Sequence, residues 1–322
     1  MIATPWTGPV IELQNLSRHF GQTRAVDEVS FLVPRGSVFG YIGPNGAGKT
    51  TSMRILATLE LPTYGEAYVE GLSSVNDPDK VRKRLGFMPD SFGTYPDTNC
   101  AEYLDFFARS HGLIGRERTR RMRWVMDFTG LRALADKPIR GLSKGMRQRL
   151  CLGRSLIHDP SVLILDEPAA GLDPRARIEL RQIIRALAAD GKTILISSHI
   201  LTELAEMVDR VGIIERGRLL ATDSVDGMRR RTRESHTVAI RIGGANASDD
   251  RNTAVNMLSD MASVRDIETS KELIEFTLIG GEPEQIEILQ KLCNARLGVA
   301  EFRVRDQSLE DVFLRVTSGQ VQ

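Results

Sequence analysis

Gly43-Pro44-Asn45-Gly46-Ala47-Gly48-Lys49-Thr50-Thr51 fills every fixed position of the pattern G-x-x-x-x-G-K-[ST]. Ser37-Val38-Phe39-Gly40-Tyr41-Ile42 before it reads as a short apolar strand. The residues after it carry Met53, Leu56 and Leu59 at helical spacing. Strand, glycine-rich loop and helix, in that order, is the context in which this pattern binds phosphate. Gly43, Gly46 and Gly48 let the backbone wrap closely, with N–H groups aimed at phosphate oxygens. The helix that follows adds the positive end of its dipole. Lys49 is placed to reach the β- and γ-phosphates, and the Thr50 hydroxyl to ligate Mg²⁺. A glycine-rich turn with a chance lysine would not need that context.

Upstream, 10–16 and 29–33 alternate and read as strands, with a turn-rich segment over Arg18–Asp27 between them. Phe20 in that segment has two readings: a ring that stacks on a purine, or a core aromatic. Downstream, 62–65 is a turn, 66–70 a strand, 78–85 a short helix, and 85–89 a strand that ends at Asp90. Asn99 and Glu102 then have capping-box spacing and open a helix with Tyr103, Leu104, Phe107 and Ala108 on one face. A second helix is predicted from about Arg116 to Phe128. Its Arg118, Arg120, Arg121 and Arg123 form either a solvated basic face or a contact for a partner or lipid headgroups. The block from about 92 to 157 carries helical signals without strands and reads as a helical insert in an α/β domain.

Ser143 is a good N-cap for a helix whose apolar face is Leu150, Leu152 and Leu156. Serine and glycine at a helix start make an anion-binding end, a weak signal alone. Ser161-Val162-Leu163-Ile164-Leu165-Asp166-Glu167-Pro168 is a continuous apolar run, suited to a strand buried on both faces, ending in two acids. Carboxylates at such an end lie in the ligand crevice of an open α/β sheet. Asp166 is suited to hold Mg²⁺ or its water, and Glu167 to orient or deprotonate a water aimed at the γ-phosphate. Asp173-Pro174 starts another helix. The strand 193–198 delivers His199 beside the same crevice, where it is a candidate γ-phosphate contact. Strands 211–215 and 218–221 complete the sheet, with a turn at Gly217.

The 322 residues are 41% hydrophobic and 26% charged, an ordinary globular balance that suggests about two domains. A net charge of +1 argues against a strongly basic nucleic-acid binder. Cys100, Cys151 and Cys293 form no C-x-x-C pair, and their odd count suits a reducing compartment. No signal-peptide pattern opens the sequence, and no run is apolar enough to span a bilayer. The expectation is a cytoplasmic chain, reaching a membrane only through a partner.

From about Val10 to Arg231 these segments, in this order, resemble the nucleotide-binding subunit of an ABC transporter, of the P-loop NTPase fold. Phe20, with Gly21 and Ala25, resembles the family's adenine-stacking loop. Gly43 to Thr50 matches its Walker A motif, and Val162 to Pro168 its Walker B strand with the following glutamate. Leu142-Ser143-Lys144-Gly145-Met146 is similar to its LSGGQ signature. Gly171-Leu172-Asp173 matches its D-loop, and His199 its switch histidine. The resemblance implies ATP and Mg²⁺ as ligands. Phe20, Gly43, Asn45, Gly46, Ala47, Gly48, Lys49, Thr50 and Thr51 would bind the nucleotide, and Thr50, Asp166 and Asp90 the metal. Glu167 and His199 would be catalytic. It further implies head-to-tail pairing of two such domains, with Ser143 and Gly145 closing on the partner's ATP, and a separate integral membrane permease as the driven partner. Asp90 stands where the family usually has glutamine. It is anionic and cannot donate when ionised, and is expected to couple the helical insert to the nucleotide site.

Residues 1–232 are thus expected to form the ATP-binding domain. Residues 233–322 are expected to form a small α+β, ferredoxin-like accessory domain in the order β-α-β-β-α-β. Its last helix, Ser308–Val316, resembles the ending of ATPases that serve ABC-2 type exporters, which points to export. The alternative reading is a soluble ABC ATPase acting on ribosomes or DNA. Those resemblances usually have two cassettes or a long coiled-coil insertion, and this chain has one cassette and no heptad run. A nucleotide-gated scaffold with little turnover is a third reading, opposed by the presence of both Glu167 and His199. No nucleic acid is expected as a partner.

Overall fold

The computed structural model describes residues 6–91, 93, 95, 97–228, 235–244, 247–270 and 273–306. The chain divides into two compact units, 1–225 and 226–322.

The first unit is built on a six-stranded sheet. Its strands are β3 (Val38–Ile42), β6 (Leu85–Met88), β7 (Val162–Leu165), β8 (Thr193–Ser198), β9 (Arg210–Glu215) and β10 (Arg218–Ser224), in the order β10-β9-β3-β8-β7-β6. All pairings are parallel except β10 with β9. Every residue of β3, β7 and β8 is buried, as continuous apolar runs covered on both faces should be. Parallel strands release their loops on one edge. Here Met88 pairs with Leu165, Leu165 with Ile196, and Ile42 with Ser198. The chain therefore leaves β6, β3, β7 and β8 into one crevice, carrying Asp90, the 43–51 loop, Asp166–Glu167 and His199.

A second, antiparallel sheet has the order β2-β1-β4-β5, with β1 at Ile11–Phe20, β2 at Thr23–Val33, β4 at Tyr64–Val69 and β5 at Leu72–Ser73. Its inner face shares one core with the parallel sheet, and Phe31 stacks on Phe39 at 5.0 Å between centroids. The turn-rich expectation for Arg18–Asp27 is corrected. β1 and β2 run through that segment and leave only Gly21 and Gln22 as the turn. The alternation is hidden because pairing slips between Leu13 and Leu16 and again before His19, with Asn15 (φ 46°) and Glu28 (φ 55°) in the left-handed region. Such bulges switch which face a side chain occupies.

Helix α1 (Lys49–Leu56) follows the glycine-rich loop, and α2 (Pro78–Arg84) precedes β6. Between β6 and β7 the described elements are helical: α3 (Cys100–Ser110), α4 (Gly115–Phe128), two 3₁₀ turns and α5 (Lys144–Leu156). Asn99 and Glu102 form both bonds of the capping box. The arginine face of α4 is partly engaged, since Arg118 pairs with Asp105, and Arg121 donates to the Leu156 carbonyl and pairs with Asp159. Helix α6 (Pro174–Ala189) links β7 to β8, and the short α7 (Leu201–Leu204) follows β8.

In the second unit β11 (Ser235–Ile242), α8 (Ala247–Ser259), β12 (Val264–Thr269), β13 (Leu273–Ile279), α9 (Glu282–Asn294) and β14 (Val299–Asp306) follow in sequence. The sheet order is β12-β13-β11-β14, with every pairing antiparallel. Its core includes Val238, Ile240, Leu258, Ile274, Phe276, Ile288 and Leu292. The helix expected over Ser308–Val316 lies outside the described residues.

Candidate functional site

The 43–51 loop is held from two sides and by a turn of its own. Gly43 N–H donates to Ser198 O at 3.2 Å, Ala47 N–H to Pro44 O at 3.2 Å, and Gly217 N–H to Ala47 O at 3.0 Å. Gly48 has φ 103°, and a Cβ there would collide with the Ala25 carbonyl oxygen, so only glycine lets the loop pass the β1–β2 hairpin. A Cβ on Gly43 would collide with the Ile214 carbonyl oxygen in the same way. Gly46 (φ 79°) lies at the exposed tip with Asn45. Lys49 is 5% exposed, and its ammonium donates to Gly43 O at 2.6 Å and Pro44 O at 3.2 Å. Thr50 is exposed at the helix start, and Thr51 is half-buried behind it.

The acids at the end of β7 meet this loop. Glu167 Oε1 lies 3.3 Å from Lys49 Nζ, and Oε2 lies 2.8 Å from His199 Nδ1. Glu167 has φ 49°, a conformation costly for a non-glycine residue and held by its surroundings. Its N–H donates to Ser197 Oγ at 2.9 Å, and that hydroxyl donates to Asp166 Oδ1 at 2.7 Å. Asp166 is 1% exposed. Burial raises its pKa above the ordinary carboxylate value. Hydrogen bonds from Ser197 and Thr50 oppose that shift, while the charges of Glu167 and Asp90 add to it. The structure thus gathers Lys49, Thr50, Asp90, Asp166, Glu167 and His199 at one edge.

These residues fit a hard divalent cation. Asp166 Oδ2 is buried with no hydrogen-bond partner, and the Thr50 hydroxyl bonds to the same carboxyl. Few protein oxygens suit Mg²⁺, which keeps waters and takes phosphate oxygens. Among the described residues no group of three or more His, Cys, Asp or Glu forms a cage for a metal by itself.

Phe20 is 47% exposed, which corrects its core reading, and the Arg18 guanidinium lies 4.5 Å from its ring centroid. The hairpin that carries Phe20 borders the loop where Ala25 meets Gly48.

Ser143 and Gly145 are elsewhere. Ser143 caps α5, accepting from Met146 N–H at 3.3 Å. Gly145 packs so close to α6 that a Cβ would lie 3.2 Å from the Ala176 methyl. Among the described residues no hydrogen bond or ion pair joins this corner to the 43–51 loop. A cavity of about 120 Å³ beside them is lined by Gln148, Asp173 and Glu179, among others.

Ser197 was missed by sequence reasoning. Its signal was there: the buried run 193–198 ends in two hydroxyl residues, and a buried polar group at a strand end needs a partner.

Among the described residues no helix is long and apolar enough to cross a membrane. The sequence profile of the ABC transporter family matches residues 26–170. The chain is 33% identical to the Nod factor export ATP-binding protein I of Ralstonia nicotianae, over 98% of this chain and 95% of that one. It is 31% identical to the bacitracin transport ATP-binding protein of Bacillus licheniformis, over 96% and 98% respectively. A dimeric ATP-binding cassette solved with ADP and phosphate superposes with a TM-score of 0.61 at 24% identity, over 67% of this chain and 98% of that one, which speaks for the fold. With a P-loop sheet, a lysine and two acids at its ligand edge, and relatives matched nearly end to end, the chain belongs to the ABC transporter family as an ATP-binding ATPase subunit.

Proposed function

We propose that this ATPase is the motor of an exporter. It pairs with a second ATPase subunit so that ATP held at 43–51 of one copy is closed over by Ser143 and Gly145 of the other. Closure and release then drive a separate permease, with the motor on the cytoplasmic face of the membrane. The observation that carries the reading is the Lys49–Glu167–His199 chain of contacts at the loop. Export is favoured by the activities named for the relatives, Nod factor export and bacitracin transport.

The chemistry follows from the contacts. Lys49 exchanges the Gly43 and Pro44 carbonyls for phosphate oxygens, which also releases Glu167 from its ion pair. Glu167 then orients the attacking water and takes its proton. His199 fixes Glu167 through Nδ1 and offers its other ring nitrogen to the γ-phosphate. Backbone N–H groups of Asn45, Gly46, Ala47 and Gly48 cradle the phosphates, and Thr51 supports the helix end. Thr50 and Asp166, with Asp90 beside them, would hold Mg²⁺, which supplies charge neutralisation at the β- and γ-phosphates. Phe20 stacks on adenine with the face that Arg18 leaves open. The capped start of α5 is a second anion-binding end, away from its own loop and suited to the partner's nucleotide. The accessory unit is read as ferredoxin-like from its element order and antiparallel sheet, with support of the dimer or docking as its role.

The test is an affinity pull-down of the Glu167→Gln chain from detergent-solubilised host membranes, with and without ATP. Co-purification of a polytopic membrane protein is the expected result. Recovery of only ribosomal or DNA-associated proteins would contradict the transport reading.

A further inference from the structure

The ligand edge of the parallel sheet holds more negative charge than the side chains around it neutralise. β6 and β7 pair with Met88 opposite Leu165, and Asp166 N–H donates to Met88 O at 2.8 Å. That register sets Asp90 at the mouth of β6 beside Asp166 and Glu167 at the mouth of β7. Asp166 is 1% exposed, and its Oδ2 is buried without a hydrogen-bond partner. Of these acids Lys49 reaches Glu167, with its ammonium shared among Gly43 O, Pro44 O and that carboxylate, and His199 Nδ1 lies 2.8 Å from the other Glu167 oxygen. Among the described residues no ion pair reaches Asp90 or Asp166. Asp90 itself is exposed.

A triphosphate entering this edge meets that charge. Carboxylates and phosphate oxygens repel unless a cation stands between them. A neutral amide at position 90 would present a similar oxygen without the charge. We propose that Asp90 makes a divalent cation obligatory for nucleotide binding: the site accepts ATP as its Mg²⁺ complex and rejects the metal-free nucleotide. The proposal rests on the nucleotide reading above and extends it to which form of the nucleotide is selected. Linkage makes the effect reciprocal, so ATP strengthens Mg²⁺ binding by the same factor that Mg²⁺ strengthens ATP binding.

Equilibrium binding of ATP to the full chain, in excess EDTA and in Mg²⁺, tests it for the wild type, Asp90→Gln and the isosteric Asp90→Asn. Removing one like charge near a phosphate should raise metal-free ATP affinity about tenfold in both variants. Affinity in Mg²⁺ should stay level or fall, so the ratio of the two dissociation constants shrinks by at least that factor. An unchanged ratio in both variants, or weaker metal-free binding, would overturn the proposal while leaving the nucleotide site standing. No ATP binding by the wild type in Mg²⁺ would overturn the nucleotide reading and this proposal with it.

Discussion

Replacing Ser197 by alanine removes one oxygen that organises both acids of the site. The hydroxyl is fully buried, donates to Asp166 Oδ1 at 2.7 Å and accepts from Glu167 N–H at 2.9 Å. A hydrogen bond to a charged group contributes about 1.5–3 kcal/mol, and one between neutral groups about 0.5–1.5 kcal/mol. Alanine also removes the Ser197 donor from Asp166, whose Oδ2 already has no hydrogen-bond partner. The variant should therefore lose about 3 kcal/mol of stability. For a unit of this size that lowers Tm by about 6–12 °C. Glu167 would also lose the bond that holds its left-handed backbone, so kcat for ATP should fall by more than about tenfold, the scale expected when a positioned base is displaced. Calorimetry at pH 7 reads the first effect and steady-state phosphate release the second. A Tm within about 2 °C of wild type, with kcat unchanged, would refute the claim that Ser197 organises the site.

Lys49→Ala should abolish ATP binding or turnover, read by nucleotide binding and phosphate release; normal hydrolysis would overturn the site assignment. Asp166 has a folded pKa above its ordinary 3.8, so the native chain holds this proton more readily than the unfolded one. The associated stability is fully present below pH 3.8 and is lost as pH rises through the folded value. Asp166→Asn stays neutral throughout. It should therefore gain stability over wild type above that window and not below it, while losing Mg²⁺-dependent turnover; denaturation curves at pH 3.5 and pH 7 check both, the pH values chosen to lie about either side of the onset.

Much of the site was legible because its chemistry is local in sequence. The loop from Gly43 to Thr51 needs three glycines, a lysine and a threonine within nine positions, and two of those glycines prove to sit where a Cβ has no room. Asp166 and Glu167 were legible because packing gives a buried apolar strand no use for two acids at its end, whereas a ligand crevice does. Phe20 was not, since spacing alone could not distinguish a core ring from one nearly half exposed. The β1–β2 hairpin was hidden for a related reason: its bulges break the period of two that marks a strand. Ser197 escaped because a serine in a buried strand declares nothing until its partners, 30 and 31 residues away, are seen.

The most direct measurement is the mass in solution of the Glu167→Gln chain with ATP and Mg²⁺, by light scattering coupled to size exclusion. Without the water-orienting carboxylate, ATP should persist in the site and hold two copies together at twice the monomer mass. ADP under the same conditions should leave monomers. A chain that binds ATP yet stays monomeric at concentrations far above its nucleotide Kd would contradict closure of two copies over ATP as the motor step.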